Sequence, residues 1–183
     1  MNDLPLYPLR FEPIFKHARW GGRRLGDVLG QQLPSDGPVG EAWVLSDQGH
    51  HLSRVANGPL RGRNLRELLG SAADRLLGRQ AGQRRQFPLL LKFIDAHEPL
   101  SVQVHPCDHH TAYVPPGEQG KTEAWVILHA DPGSLIYAGL RPGVDRDALE
   151  AALRAEGQWP ATPGQIDAKA AAIILRRFLD GEG

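Results

Sequence analysis

Apolar residues in this chain rarely run far before a turn residue stops them. Short runs recur at Glu41 to Leu45, Leu89 to Ile94, Leu100 to His105, Ala124 to Leu128 and Ser134 to Tyr137. They are rich in β-branched and aromatic residues and are flanked by Gly, Pro or Asp. Runs of that length and composition predict strands. The 15 Pro and 21 Gly are spread along the chain, as many short elements joined by turns require. Two segments carry helical spacing instead. Asn64 is a candidate N-cap for a helix with Leu65, Leu68, Leu69, Ala72 and Leu76 on one face. Asp145 is a candidate N-cap for a second, with Ala148, Leu149, Ala152 and Leu153 inward and Gly157 as its stop. Strands, one helix, strands and one helix do not make the strict alternation of a parallel sheet. The expected class is mainly β, mostly antiparallel, with helical insertions.

Composition narrows the function. The 183 residues suit one domain, and 41% hydrophobic residues suffice for a core. Formal net charge is zero, so no overall field draws the chain to nucleic acid or to an anionic membrane. The stretch from Arg61 to Arg85 holds seven Arg against two acids, but apolar residues interrupt it at helical spacing, which reads as a solvated helix and loop. Cys107 is the only cysteine, so neither an intrachain disulfide nor a four-cysteine zinc site can form. That fits a cytoplasmic location. The N-terminus lacks the pattern of a secretory signal, and no apolar run approaches the ~20 residues of a membrane span.

"SVQVHP", Ser101 to Pro106, sets an amide and an imidazole into an apolar run. Alternation along a strand puts Ser101, Gln103 and His105 on one face and Val102 and Val104 on the other. In "GKTEAWVIL" the same rule groups Lys121, Glu123 and Trp125. If both strands share a sheet with these faces inward, Gln103, His105 and Glu123 converge, with Lys121 beside them. One nitrogen and two oxygen donors suit Zn²⁺ or Mn²⁺, with a further position left for water or substrate. The alternative is a hydrogen-bonded core histidine, with Gln103 serving a neighbouring backbone group. His109 and His110, and likewise His50 and His51, lie in polar sequence and read as solvent-exposed. Cys107 reads as a bystander at a strand end. Trp20, Trp43 and Trp125 are candidates for core or cavity wall.

These residues resemble a known family. "PLLLKFIDAHEPLSVQVHPCDHHTAY" followed by "GKTEAWVIL" is similar to the metal-binding segment of class I mannose-6-phosphate isomerases (phosphomannose isomerases). "FKHARWGGRRL", "VGEAWVLSDQ" and "VANGPLRGRNLRELLG" match further family segments in the family's order. The resemblance runs from about Phe11 to about Trp159. It implies a cupin-type (jelly-roll) β-barrel. It implies that Gln103, His105 and Glu123 are three of four ligands to one Zn²⁺, with Mn²⁺ the other candidate. Lys121 matches a lysine lining the sugar-phosphate site and is the catalytic candidate. Ser101 matches a residue near the substrate phosphate, and Trp20 would line the active-site region. The implied reaction interconverts mannose 6-phosphate and fructose 6-phosphate through an enediol, with a small sugar phosphate as partner and neither nucleic acid nor membrane.

The fourth ligand of the family is a His in a "Pro-x-Gly-x-x-His" context, followed by a catalytic Arg, and the sequence contains neither. The expected organisation is therefore an N-terminal part of the cupin domain over 1–159 and a divergent, helix-like tail over 160–183. An incomplete barrel of this kind leaves sheet edges uncovered and open to self-association. The expectation is low or absent activity of the chain alone. A non-catalytic metal- or sugar-phosphate-binding cupin module, or a non-functional fragment, is the alternative.

Overall fold

The structure, a computed structural model, describes residues 5–34, 37–82, 86–100, 120–136, 142–145, 148 and 151. The chain divides into two units, Met1–Pro99 and Leu100–Gly183.

In the first unit a three-stranded antiparallel sheet runs in the order β1 (Ile14–Gly22), β2 (Val39–Leu45), β5 (Leu91–Ile94). Its two faces differ in chemistry, and the register shows why. Phe15 pairs with Ala42 and Ala42 with Phe93, which makes an apolar face. That face packs on Leu25 and Leu29 of α1 (Arg24–Leu29) and on Leu33. Leu25 is 2% exposed and Ala42 fully buried. The other face carries Lys16 opposite Glu41, and Trp43 between Ile14 and Lys92. A six-residue helix is too short to stand by itself. α1 owes its place to this packing and to Gly30, whose φ of 60° ends it in the left-handed region.

A two-residue turn at Gly49 and His50 joins β3 (Asp47–Gln48) to β4 (His51–Leu52). Gly49, at φ 54°, supplies the positive angle that such turns need at their first position. α2 (Leu65–Leu77) starts as the sequence predicts. The Asn64 side chain accepts from the Glu67 amide at 2.9 Å, and the Glu67 carboxylate accepts from the Asn64 amide, a complete capping box. Leu65, Leu68 and Leu69 are buried, and Leu68 joins Val55 and Leu60 in a second cluster flanked by Leu6, Tyr7, Leu9, Phe11 and Leu76. The predicted stripe breaks at Ala72, whose backbone (φ −152°, ψ 41°) kinks the helix. A short 3₁₀ turn, Gly78–Gln80, follows.

Asp47, fully buried, ties these parts together. It accepts from Arg66 of α2 at 2.8 Å and from the Phe87 amide at 2.8 Å, while its own carbonyl takes the Gln86 side chain at 2.6 Å. A buried carboxylate stays only where such partners replace its lost water.

Several expectations need correction. Ala124–Leu128 and residues 134–136 form no strand among the described residues; Val126 is 83% exposed and Leu128 70%. A strand forms on a ladder partner as well as on composition, and the expected partner run lies outside the described residues beyond Leu100. Trp125 is 51% exposed and so is no core residue. Asp145 does cap, accepting from the Ala148 amide at 2.8 Å, and Ala148 and Ala151 are helical, but Ala148 is exposed rather than inward. The sequence reading missed β1, α1 and the β3–β4 hairpin.

Candidate functional site

In the second unit, Lys121 and Glu123 stand two residues apart on a segment that forms no strand, and an ion pair brings their side chains together. Lys121 Nζ lies 2.9 Å from Glu123 Oε1. Glu123 is the more buried partner, with its side chain 23% exposed against 41% for Lys121. The pair offers a positive donor and a carboxylate at one point. Ser101, Gln103 and His105, the remaining expected site residues, lie outside the described residues, as do Cys107, His109 and His110. Among the described residues no group of three His, Cys, Asp or Glu is placed to hold a metal ion. The expected donor set of one amide oxygen, one imidazole nitrogen and one carboxylate has the chemistry that a borderline divalent ion accepts. Of these, Glu123 is the donor the structure describes.

Trp20 belongs to the first unit and is fixed at both its ring and its backbone. Its six-membered ring lies over Gly40, where a Cβ would meet the ring at 2.6 Å and Ala18 Cβ at 2.6 Å. Its carbonyl accepts from the amides of His97 and Glu98, both at 2.9 Å. Gly22 leaves room for the Asp95 carboxylate, which accepts from the Arg24 amide at 2.7 Å. Gly21 and Gly40 are thus places where one strand passes too close to another for a side chain, while Gly22 gives way to the Asp95 carboxylate.

The polar face of the sheet holds a cluster that the sequence reading missed. Glu41 accepts from Lys92 Nζ at 2.8 Å and from Trp43 Nε1 at 2.6 Å. The Lys16 ammonium sits 4.4 Å from the centre of the Trp43 ring, a cation–π contact. It also lies 2.9 and 2.8 Å from Nδ1 and Nε2 of His51. The Trp43 and His51 rings meet in a T-shaped contact, with centroids 5.4 Å apart, and the His50 ring lies 4.5 Å from that of His51. His51 is therefore half-buried and engaged, where the sequence predicts exposure; His50 is exposed as expected. Desolvation by its neighbours, then the Lys16 ammonium, then His50 hold the His51 pKa below its ordinary value. Partial burial lowers the Lys16 pKa, and Glu41 opposite raises it part of the way back. The alternation Lys16–Glu41–Trp43–Lys92 across three strands is the signal that could have found this cluster, but it requires the register.

Residues 9–116 match the family model of the type I phosphomannose isomerase catalytic domain. The chain is 41% identical over 132 residues to the mannose-6-phosphate isomerase ManA of Bacillus subtilis, covering 72% of this chain and 40% of that one. It is 37% identical over 164 residues to the mannose-6-phosphate isomerase of Streptococcus mutans, covering 87% and 50%. The crystal structure of the Bacillus subtilis mannose 6-phosphate isomerase superposes with a TM-score of 0.55 at 37% identity, over 62% of this chain and 35% of that one. The fold is mainly β and of the cupin type, and among the described residues its sheets are not closed, as in an incomplete barrel. The chain belongs to the type I phosphomannose isomerase family. It spans 40 to 50% of the length of the curated relatives named here.

Proposed function

We propose that this chain provides metal- and substrate-binding elements of a mannose-6-phosphate isomerase, an aldose–ketose isomerase acting in the cytoplasm. The match of residues 9–116 to the family's catalytic domain carries the reading. In this reading Gln103, His105 and Glu123 hold one divalent ion, Zn²⁺ or Mn²⁺. The bound ion supplies electrostatic stabilisation of the oxyanion that forms as a proton leaves C2. Lys121, a compact ammonium 2.9 Å from Glu123, holds the phosphate or polarises a sugar oxygen and keeps the Glu123 carboxylate in place. Ser101 contacts the phosphate, and Trp20 lines the site.

A coupled assay on the purified 183-residue protein, loaded with Zn²⁺ or Mn²⁺, tests this. Formation of fructose 6-phosphate that is lost in Lys121→Met and Glu123→Gln supports the isomerase reading. Saturable binding of mannose 6-phosphate without turnover assigns the chain to a binding module instead. Neither binding nor turnover refutes both.

A further inference from the structure

We propose that the β3–β4 hairpin and the run into β1 form a binding pocket for a small dianionic oxyanion, of the sulfate or phosphate type. A cavity of about 250 Å³ opens there, lined by Glu12, Pro13, Ile14, His50, His51, Leu52 and Arg54. Two histidines, their ring centroids 4.5 Å apart, and one arginine are among its lining residues. Behind His51 stands Lys16, with its ammonium 2.8 Å from the ring.

The charges do not balance within this cluster. Glu41, the carboxylate across the strand from Lys16, already accepts from Lys92 and from Trp43 Nε1. Two ammonium groups thus share one carboxylate. Arg54 adds a third cation, donating one hydrogen bond to the Gly62 carbonyl. Glu12 is the single acid in the lining. The surplus is positive, and it grows when His51 takes up a proton.

A metal ion fits the same pocket poorly. Glu12, His50 and His51 are not grouped at metal-binding distances. An oxyanion needs donors instead, and protonated imidazoles, guanidinium and ammonium are all donors. Binding and protonation are linked, so each favours the other.

The test follows the ring protons of His50 and His51 by NMR while sulfate replaces chloride at constant ionic strength. Sulfate keeps its charge across the pH range of histidine titration. The expected result is an upward movement of the His51 midpoint with sulfate and saturable shifts at both rings. His50→Gln, at an exposed turn position, weakens binding at least about threefold. Glu12→Gln strengthens it by a similar factor, a gain that misfolding cannot produce. A phosphate monoester forms the second arm. A stronger response to the monoester assigns the pocket to a phosphorylated small molecule; a response to sulfate alone assigns it to the free ion. A midpoint that moves no more with either anion than with chloride, or a Glu12→Gln variant that binds no better than the parent, overturns the proposal.

Discussion

At the scale of single residues, His51 shows how much a neighbour decides. In sequence it is one of two histidines in a polar turn. In the fold it meets the Lys16 ammonium, the Trp43 ring and His50. Its folded pKa lies below the ordinary histidine value of 6.5. The unfolded chain therefore binds the extra proton first. His51 leaves stability unchanged above pH 6.5 and lowers it as pH falls through 6.5 toward the folded pKa. An NMR titration of the His51 ring should give a midpoint below 6.5 at low anion concentration, and Lys16→Met should raise it. A midpoint at or above 6.5 in the parent contradicts this account. Asp47 makes a second case. Asp47→Ala removes the carboxylate acceptor of Arg66, leaving it only the residue-47 carbonyl at 3.2 Å, and leaves the Phe87 amide unpaired. Because Arg66 is half exposed and can be rehydrated, the expected loss is about 2–3 kcal/mol in urea unfolding, below the cost of orphaning a fully buried charge.

At the scale of elements, legibility in the sequence tracked how local the cause was. The start of α2 was readable because the capping box lies within four residues, Asn64 to Glu67. Asn64→Ala should cost about 1 kcal/mol, seen as a lower midpoint in thermal or urea unfolding. β2 and β5 were readable from their apolar runs. β1 was not, since "IFKHARWGG" puts charge on one sheet face and glycine at its end, and only the partner strands explain either. Its pairing with β2 is also irregular, with register shifts after Lys16 and after His17. The Ala72 kink has a local signal in the Gly70–Ser71 pair before it, with the Ser71 hydroxyl donating back to the Glu67 carbonyl at 3.0 Å. Of the site, strand alternation alone suggested the shared side of Lys121 and Glu123. The sugar phosphate and the roles of Ser101 and Trp20 rested on family likeness, because no spacing within this chain encodes them. At Gly40 the sequence showed only a glycine, while the fold shows Trp20 lying on it. Gly40→Ala should destabilise by about 1–3 kcal/mol and change the tryptophan fluorescence, through overpacking of the ring.

At the scale of the whole molecule, the first unit carries its own apolar clusters around Ala42 and Leu68. Leu68→Ala, at a fully buried position, should cost about 2–5 kcal/mol in unfolding free energy. Metal binding supplies a test of the proposed site that needs no turnover. Zn²⁺ at 100 times its dissociation constant should stabilise the protein by about 2.7 kcal/mol, and Glu123→Gln should remove most of that gain. An unchanged melting temperature on adding Zn²⁺ would count against Glu123 as a ligand.

The crossing at Trp20 has a kinetic consequence. Beyond the first residues of β2 the outer strands of the sheet meet, with Gly21 bridged to Ala96 and the Trp20 carbonyl holding the amides of His97 and Glu98. By chain position, residues 95–98 are a loop, and loop amides ordinarily exchange with solvent after small local openings. Here those protons are held by the first strand, so releasing them means separating β1 from the rest. In a hydrogen–deuterium experiment, His97 and Glu98 should exchange as slowly as the sheet itself.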